Sequence, residues 1–363
     1  MGEKKKIAFC ITCMNRLSHI QQTLVQNMED NWLPDDVEFI LLDYNSTDGL
    51  EEWVKTLQKY IDLGILHYYR TEAPKLYHRS HSRNIAFRLS TAEIVCNLDA
   101  DNFLGFGFAE YIINKFAETE DKIFITSNFR TRNVYGRFCA YRSDFMHIRG
   151  YNESLTGYGA EDADLFNRLI RSGLKINIFY GEDFYKFVEH SYKERVSQEY
   201  YYQSLFAIYI SYSTPFRSGF LLLRNDFSCE TGYLINNIIC NYNLERQSEI
   251  LREIDFDRSA HVTIENDIQK GKWIYTNNKI HLTIDQNLFT FSLSDIKIRV
   301  NDCDFFRVID DEMVSFIIMH LSDAVNYAQV RKMIDNSIPV NPVGFGQGTV
   351  YRNFDYSNPI ILN

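Results

Sequence analysis

Residues 7–98 alternate short apolar, β-branched runs with helix-patterned stretches, and few folds accommodate that alternation. Residues 7–12, 37–42, 66–69 and 94–98 read as strands. Residues 17–29, 48–63 and 80–89 read as helices, with Thr47 or Asp48 as N-cap of the second and glutamates in its first turn. Strands separated by helices predict an α/β sheet, mostly parallel and flanked by helices on both faces. In such sheets ligands sit beyond the carboxyl ends of the strands, near a reversal of strand order. Three of these strand ends are polar: Thr12-Cys13-Met14-Asn15-Arg16, Asp43-Tyr44-Asn45-Ser46 and Asp99-Ala100-Asp101.

The third end carries the most chemistry. Two carboxylates one residue apart at a sheet edge can bridge a hard divalent cation to a diphosphate, because Mg²⁺ and Mn²⁺ favour oxygen ligands and leave room for substrate phosphates. A solvated turn ahead of a helix has the same local sequence, so Asp-x-Asp alone does not decide between them.

Beyond residue 101 the pattern continues as a helix at 109–118, strands at 123–127 and 139–142, a helix at 165–172 and a strand at 176–179. Residues 200–212, rich in tyrosine, read as a helix. The glycine-containing turn Gly157-Tyr158-Gly159-Ala160 precedes Glu161, Asp162 and Asp164. Residues 273–300 alternate with period two and predict antiparallel hairpins, and 311–334 predict a helix. Gly344-Phe345-Gly346-Gln347-Gly348 has no helix after it and reads as a surface turn rather than a phosphate loop. These changes place a boundary near residue 228, with domains at 1–228 and 229–363.

Composition narrows the function. With 38 Lys and Arg against 48 Asp and Glu the net charge is −10, and no basic stripe appears, which excludes a dedicated nucleic-acid binder. No apolar stretch is long enough for a transmembrane helix, and the N-terminal run is too short for a signal peptide. Lys4-Lys5-Lys6 allow at most a weak peripheral contact with a membrane. The seven scattered cysteines fit reduced, buried side chains in a cytoplasmic protein, and Cys10-x-x-Cys13 lacks the partners a zinc site needs.

The ordered segments from Thr12-Cys13-Met14-Asn15-Arg16 through Leu41-Leu42-Asp43, Ser82-Arg83-Asn84, Asp99-Ala100-Asp101 and Gly159-Ala160-Glu161-Asp162 to Glu189-His190-Ser191 resemble the GT-A nucleotide-sugar glycosyltransferases of family 2. Their second half is similar to the carboxyl-terminal part of the β-1,4-galactosyltransferases. The resemblance covers about residues 6–215. It implies a GT-A (Rossmann-like) domain; the residue pattern beyond it gives a smaller α+β region, which could bind the acceptor or support an oligomer.

By that resemblance Asp101 is a direct ligand of Mn²⁺ or Mg²⁺, Asp99 reaches the ribose and the metal, and His190 is a third metal ligand. The methionine ligand of the galactosyltransferases is not kept; Phe187 stands at that spacing. Asp43 is implied as acceptor of the uracil N–H, with Thr12, Arg16 and Arg83 on the nucleotide or diphosphate of a UDP-sugar. Asp162 is implied as general base, and Glu161 as a ligand of sugar hydroxyls. The two glycines before them would let the backbone approach a ligand closely, and Tyr158 offers a stacking face. Three acids in a first helical turn also complement a helix dipole, which is a purely structural reason for them. The implied activity is an inverting, metal-dependent transfer of a hexose or N-acetylhexosamine to a glycan or lipid-linked acceptor in polysaccharide biosynthesis. The alternatives are a sugar-nucleotide nucleotidyltransferase, argued against by the absence of a glycine-rich first loop, and a non-catalytic carbohydrate or nucleotide-sugar binder.

Overall fold

A computed structural model describes residues 6–128, 131–214, 217–235 and 263–363, in two compact units. The first comprises residues 1–155, 161–189 and 339–363, and the second residues 156–160 and 190–338. The chain therefore leaves the first unit near residue 189, ahead of the expected boundary at 228, and its last residues return to that unit. Lys4 and Lys5 lie outside the described residues, while Lys6 pairs with Asp36 at 3.1 Å. Among the described residues no helix is long and apolar enough to cross a membrane.

The first unit runs β1 (Ile7–Cys13), α1 (Leu17–Asn31), β2 (Val37–Tyr44), α2 (Leu50–Lys55), α3 (Gln58–Asp62), β3 (Leu66–Thr71), α4 (Arg79–Leu89) and β4 (Ile94–Asn97). It continues with α5 (Phe108–Ala117), β5 (Ile123–Thr126), β6 (Phe138–Tyr141), α6 (Arg142–His147), α7 (Glu161–Arg171) and β7 (Lys175–Ile178). The single helix expected over 48–63 is broken into α2 and α3. Asp48 does not cap it: its Oδ2 accepts the Leu17 N–H at 2.8 Å and so ties the second strand end to the start of α1.

These strands and the terminal hairpin of β16 (Gly348–Arg352) and β17 (Asp355–Leu362) form one nine-stranded sheet in the order β17-β16-β3-β2-β1-β4-β6-β5-β7. The four strands from β3 to β4 are parallel, and the strand order reverses at β1, which lies between β2 and β4. Beyond them the sheet is mixed, because β6 runs antiparallel to both β4 and β5. Both faces are covered. Ile7, Phe9 and Ile11 point into one buried cluster and Ala8 and Cys10 into the other, as the two-residue period of a strand requires. Burying a side chain of the size of Phe9 or Leu41 contributes roughly 1.5–3 kcal/mol.

In the second unit α8 (Tyr192–Val196) and α9 (Tyr200–Gln203) lead into β8 (Leu205–Thr214), β9 (Arg217–Arg224), β10 (Ser228–Ile235), β11 (Thr263–Thr276), β12 (Lys279–Ile284), β13 (Asn287–Ser292), β14 (Lys297–Val300) and β15 (Cys303–Arg307). The helix expected over 200–212 is therefore only its first turn. From Leu205 onward the alternating residues serve a strand, with Ile208 and Ile210 in one cluster and Ala207 and Tyr209 in the other. The expected hairpins are present in an eight-stranded antiparallel sheet, and α10 (Asp311–Asp335) packs Phe316, Ile317 and Leu321 into one of its clusters.

The glycine turn belongs to this unit and answers to α10. A Cβ at Gly159 (φ +94°) would collide with Oδ1 of Asp323 and lie 2.7 Å from its Cβ, and one at Gly157 (φ +78°) would collide with Oγ of Ser322. Ser322 Oγ accepts the Tyr158 N–H at 2.9 Å, and Asn326 Nδ2 donates to the Gly159 carbonyl at 2.9 Å. The glycines thus admit a helix, where the sequence suggested a ligand. Tyr158 packs at the edge of the second unit's core, and Arg195 donates to its hydroxyl at 3.3 Å.

Finally β16 (Gly348–Arg352) and β17 (Asp355–Leu362) form a hairpin that pairs antiparallel with β3. The expected surface turn at 344–348 is instead packed on α4: Phe345 is buried, and a Cβ at Gly346 would lie 2.8 Å from the Asn84 carbonyl carbon. The six described cysteines, Cys10, Cys13, Cys96, Cys139, Cys229 and Cys303, are all free thiols, and all but Cys303 are buried.

Gly159→Ala combines a left-handed backbone with a collision on α10. We expect it to lower stability by about 1–3 kcal/mol, measured as a shift of the denaturation midpoint. An unchanged midpoint would show that α10 does not confine this loop.

Candidate active site

Strand order brings the polar ends of β1, β2 and β4 together, and α4 passes alongside them. The centre of the arrangement is Arg83 on α4, whose side chain is only 3% exposed. Its Nη1 donates to Asp162 Oδ1 at 3.0 Å and to Glu161 Oε1 at 3.4 Å, and its Nη2 donates to Asp99 Oδ1 at 3.1 Å. The guanidinium also lies 5.2 Å from the Tyr151 ring centroid. Helix-face ion pairing, an ordinary role for such an arginine, is not what the fold gives it. Arg83 joins a strand end (Asp99) to a helix start (Glu161 and Asp162) far apart in sequence.

One guanidinium against three carboxylates leaves an excess of negative charge. Burial pushes the Asp162 carboxyl up to about 7; Arg83 holds it down, and the charges of Glu161 and Asp99 push it further up. A carboxylate poised there is suited to accept a proton near neutral pH. Tyr135 stands close by, raised to about 12 by its own burial and by the charges of Asp162 and Glu161.

Asp99 is held from two sides. Asn97 Nδ2 donates to its Oδ1 at 3.1 Å and to the Gly136 carbonyl at 3.0 Å. Gly136 leaves space where the cluster meets: a Cβ there would lie 3.2 Å from Arg83 Nη2, 3.2 Å from Asp162 Oδ2 and 3.3 Å from Asp99 Oδ2. The Asp99 side chain remains 35% exposed, so it faces both the buried arginine and solvent.

The loop from Asp99 to Asn102 is also fixed through its backbone carbonyls and through Asn102. Thr23 donates to the Ala100 carbonyl at 2.7 Å, and Asn27 to the Asn102 carbonyl at 2.9 Å. Fully buried Arg137 donates to Asn102 Oδ1 at 3.2 Å and to the Phe103 and Phe184 carbonyls at 2.8 and 2.5 Å. Asp101 Oδ1 accepts from Asn102 Nδ2 at 3.0 Å, and its carbonyl accepts the Val188 N–H at 2.7 Å.

Two oxygen-donating side chains one residue apart fit a small hard cation that completes its shell with phosphate and water. Among the described residues no group of three or more His, Cys, Asp and Glu stands in a metal-holding arrangement. His190 lies in the second unit, and Ser191 beside it caps α8 in a reciprocal capping box with Glu194.

Asp43, implied as the acceptor of the uracil N–H, is engaged by donors of its own fold. This residue is fully buried; its Oδ1 accepts the Ser46 N–H at 2.7 Å, and its Oδ2 accepts from Tyr68 at 2.8 Å and from Arg70 at 2.6 Å. Burial raises its carboxyl above the ordinary value, and these donors oppose the rise. With three of about four lone-pair sites filled, Asp43 chiefly anchors Arg70, which also donates to the Ser46 carbonyl at 3.1 Å. Thr12 shares a 2.7 Å hydrogen bond with Tyr77, and Arg16 sits at the start of α1. Asn15 Oδ1 accepts the Thr47 N–H at 2.7 Å, lacing the first two strand ends together.

Tyr135, Gly136, Arg137, Tyr151 and Arg70 are site residues that sequence reasoning missed. None sits in a recognisable motif, because each is delivered by an antiparallel strand, a loop or a neighbouring strand whose register appears only in the sheet.

A family model, Glycosyl transferase family 2, matches residues 8–179, which hold β1 through β7 and every residue of the Arg83 cluster. The match spans just under half of the chain. Human chondroitin sulfate synthase 3 is 46% identical over 41 residues, covering 11% of this chain and 5% of that protein; its mouse counterpart matches equally. The chain therefore spans only about a twentieth of those relatives' length. Among solved structures, the mannosyltransferase PcManGT from Pyrobaculum calidifontis, in complex with GDP-Man and Mn²⁺, is 18% identical at TM-score 0.41, covering 50% of this chain and 56% of that one. S. aureus TarS 1-349 in complex with UDP is 14% identical at TM-score 0.43, with coverage of 52% and 62%.

The position of Asp162 has a consequence for stability. In the unfolded chain its carboxyl titrates near 3.8, and in the folded protein near 7. The folded state holds the extra proton between those values, so this group makes folding less favourable as pH rises through the window and adds nothing further above it. Asp162→Asn should therefore gain stability relative to the parent between about pH 4 and 7 and hold a constant difference above, read from urea midpoints across pH. A difference independent of pH would mean that the carboxyl titrates normally.

Proposed function

We propose that the protein transfers a hexose or N-acetylhexosamine from a UDP-sugar, with inversion at the anomeric carbon, to a hydroxyl of a glycan or lipid-linked acceptor. The observation that carries this reading is the Asp162 carboxylate, poised near neutrality and sharing Arg83 with Asp99. We place the activity in the cytoplasm, at the inner face of a membrane where the acceptor is lipid-linked.

In this reading the acceptor hydroxyl gives its proton to Asp162 as its oxygen bonds to the anomeric carbon. The bond from that carbon to the phosphate oxygen breaks, and the diphosphate leaves with the electron pair. One in-line displacement of this kind inverts the centre, and a positioned base of matched pKa contributes typically 10²–10⁴-fold. Glu161 binds sugar hydroxyls. Arg83 keeps Asp162 aimed until the donor arrives and then has the diphosphate within its reach, to which a guanidinium forks. Thr12 and Arg16 border the nucleotide, and Arg70, fixed by Asp43, closes its far side.

Asp99 and Asp101 would hold Mn²⁺ or Mg²⁺, with His190 as a third ligand; when bound, the ion neutralises charge on the departing diphosphate.

Asp162→Asn should retain binding of UDP and Mn²⁺ by calorimetry and lose transfer by about 10²–10⁴-fold. Asp101→Asn and His190→Ala should instead weaken Mn²⁺ binding and raise the metal concentration needed for turnover. Loss of UDP binding in Asp162→Asn with the chemical step intact would reverse the assignment. Hydrolysis of a panel of UDP- and GDP-sugars identifies the donor, and release of no nucleoside diphosphate from any of them would leave a binding protein.

A further inference from the structure

Residues 339–363 lie outside the part of the chain matched to the glycosyltransferase family, yet they are packed within the first unit. Their contacts converge on two elements, and each of those elements carries an arginine of the site.

The first is α4, which carries Arg83. Arg88, on the same helix, donates through Nη1 to the Phe345 carbonyl at 2.6 Å and the Gly346 carbonyl at 3.0 Å. Glu153 Oε1 accepts both the Gly346 N–H at 2.6 Å and Asn84 Nδ2 at 2.8 Å, so the residue beside Arg83 and the returning chain share one carboxylate oxygen. Asn341 Nδ2 donates to the Tyr151 carbonyl at 2.7 Å, and Tyr151 is the ring beneath Arg83. His81 completes this attachment. One of its ring nitrogens pairs with the Gln347 carbonyl at 2.9 Å and the other with Tyr44 at 2.6 Å, beside Asp43 at the end of β2.

The second element is β3, which carries Arg70. The β16 residues Tyr351 and Arg352 stand in register with Arg70 and Tyr69. Asn353 accepts the Tyr68 N–H on its Oδ1 at 3.0 Å, and its own N–H donates to the Tyr68 carbonyl at 2.8 Å. The Phe354 ring lies 4.9 Å from that of Tyr68, whose hydroxyl donates to Asp43. Tyr356 donates to Glu51 at 2.6 Å, and Glu51 lies 3.6 Å from Arg70.

We propose that residues 339–363 are a brace built into the donor site, in which Arg88 sets the placement of Arg83 and Asn353 sets that of Arg70. Both are positioning residues, acting through another side chain on the reaction proposed above. The two attachments act on different quantities. Arg83 touches the carboxylates assigned to chemistry, so loosening α4 lowers kcat. Arg70 lies on the nucleotide side, so loosening β3 raises the donor KM. A brace that merely held the fold together would give neither signature, only less folded protein.

The test uses the full chain with the UDP-sugar found by the donor panel. Arg88→Ala should lower kcat by about 10- to 100-fold, the usual cost of a small misplacement, with donor KM changed by less than about threefold. Arg88→Lys, which keeps one donor toward the carbonyls, should recover part of that loss. Asn353→Ala should raise donor KM by about three- to tenfold and leave kcat within about twofold. Amide hydrogen exchange should quicken over 79–89 in the Arg88 variants and over 66–71 in the Asn353 variant.

Kinetic constants and exchange unchanged in both variants would overturn the proposal. So would losses that only follow the folded fraction, with no split between kcat and KM. If the parent protein releases and transfers no sugar, the reading of function fails, and the exchange arm still decides whether the brace holds α4 and β3.

Discussion

The site depends on a single buried guanidinium shared by three carboxylates. Arg83 is only 3% exposed, so its charge is balanced chiefly by Asp99, Glu161 and Asp162 rather than by water. A buried pair of this sort is costly to break from one side, because the partner is left charged without compensation. The geometry of the β4 end, the α4 face and the α7 start is therefore one constraint rather than three. Burial raises Asp162, and the charges of Glu161 and Asp99 push it further up against the pull of Arg83.

The surroundings are organised to keep that constellation rigid while its acids stay available. The Asp99–Asn102 loop is fastened through backbone carbonyls and through Asn102, by Thr23, Asn27 and Arg137, in addition to the bonds its two carboxylates make. At the end of β2 the order is inverted, with Asp43 buried inside the fold and bonded to Arg70. The returning chain at 339–363 reaches both α4 and β3, although sequence patterning assigns it to an accessory region.

Much of the fold is legible in the chain because local rules govern it. Apart from the helix expected over 48–63, which is broken in two, the strands and helices from residue 7 to 98 appear within a residue or two of expectation, since apolar period and polar strand ends encode them directly. The departures come where tertiary contacts override a local pattern. Asp48 has the sequence of a helix cap and instead bonds to Leu17 across two loops. Residues 205–214 alternate in a way that an aromatic helix imitates until the neighbouring strands claim them. Gly157 and Gly159 have the look of a ligand-approach turn, but what approaches them is α10.

The sequence by itself determined that three polar strand ends meet at a sheet edge, that acids recur there at Asp99, Asp101, Glu161 and Asp162, and that Arg83 precedes them on a helix. Spacing and periodicity are one-dimensional properties, and they suffice for that much. Only the tertiary structure decided which acids share Arg83, that Tyr135, Gly136 and Tyr151 enclose them, and that Asp43 points into the fold. Those relations are distances between segments joined through sheet register and burial. No local pattern of residues contains them, because the free energy that fixes them comes from the packing of the whole unit.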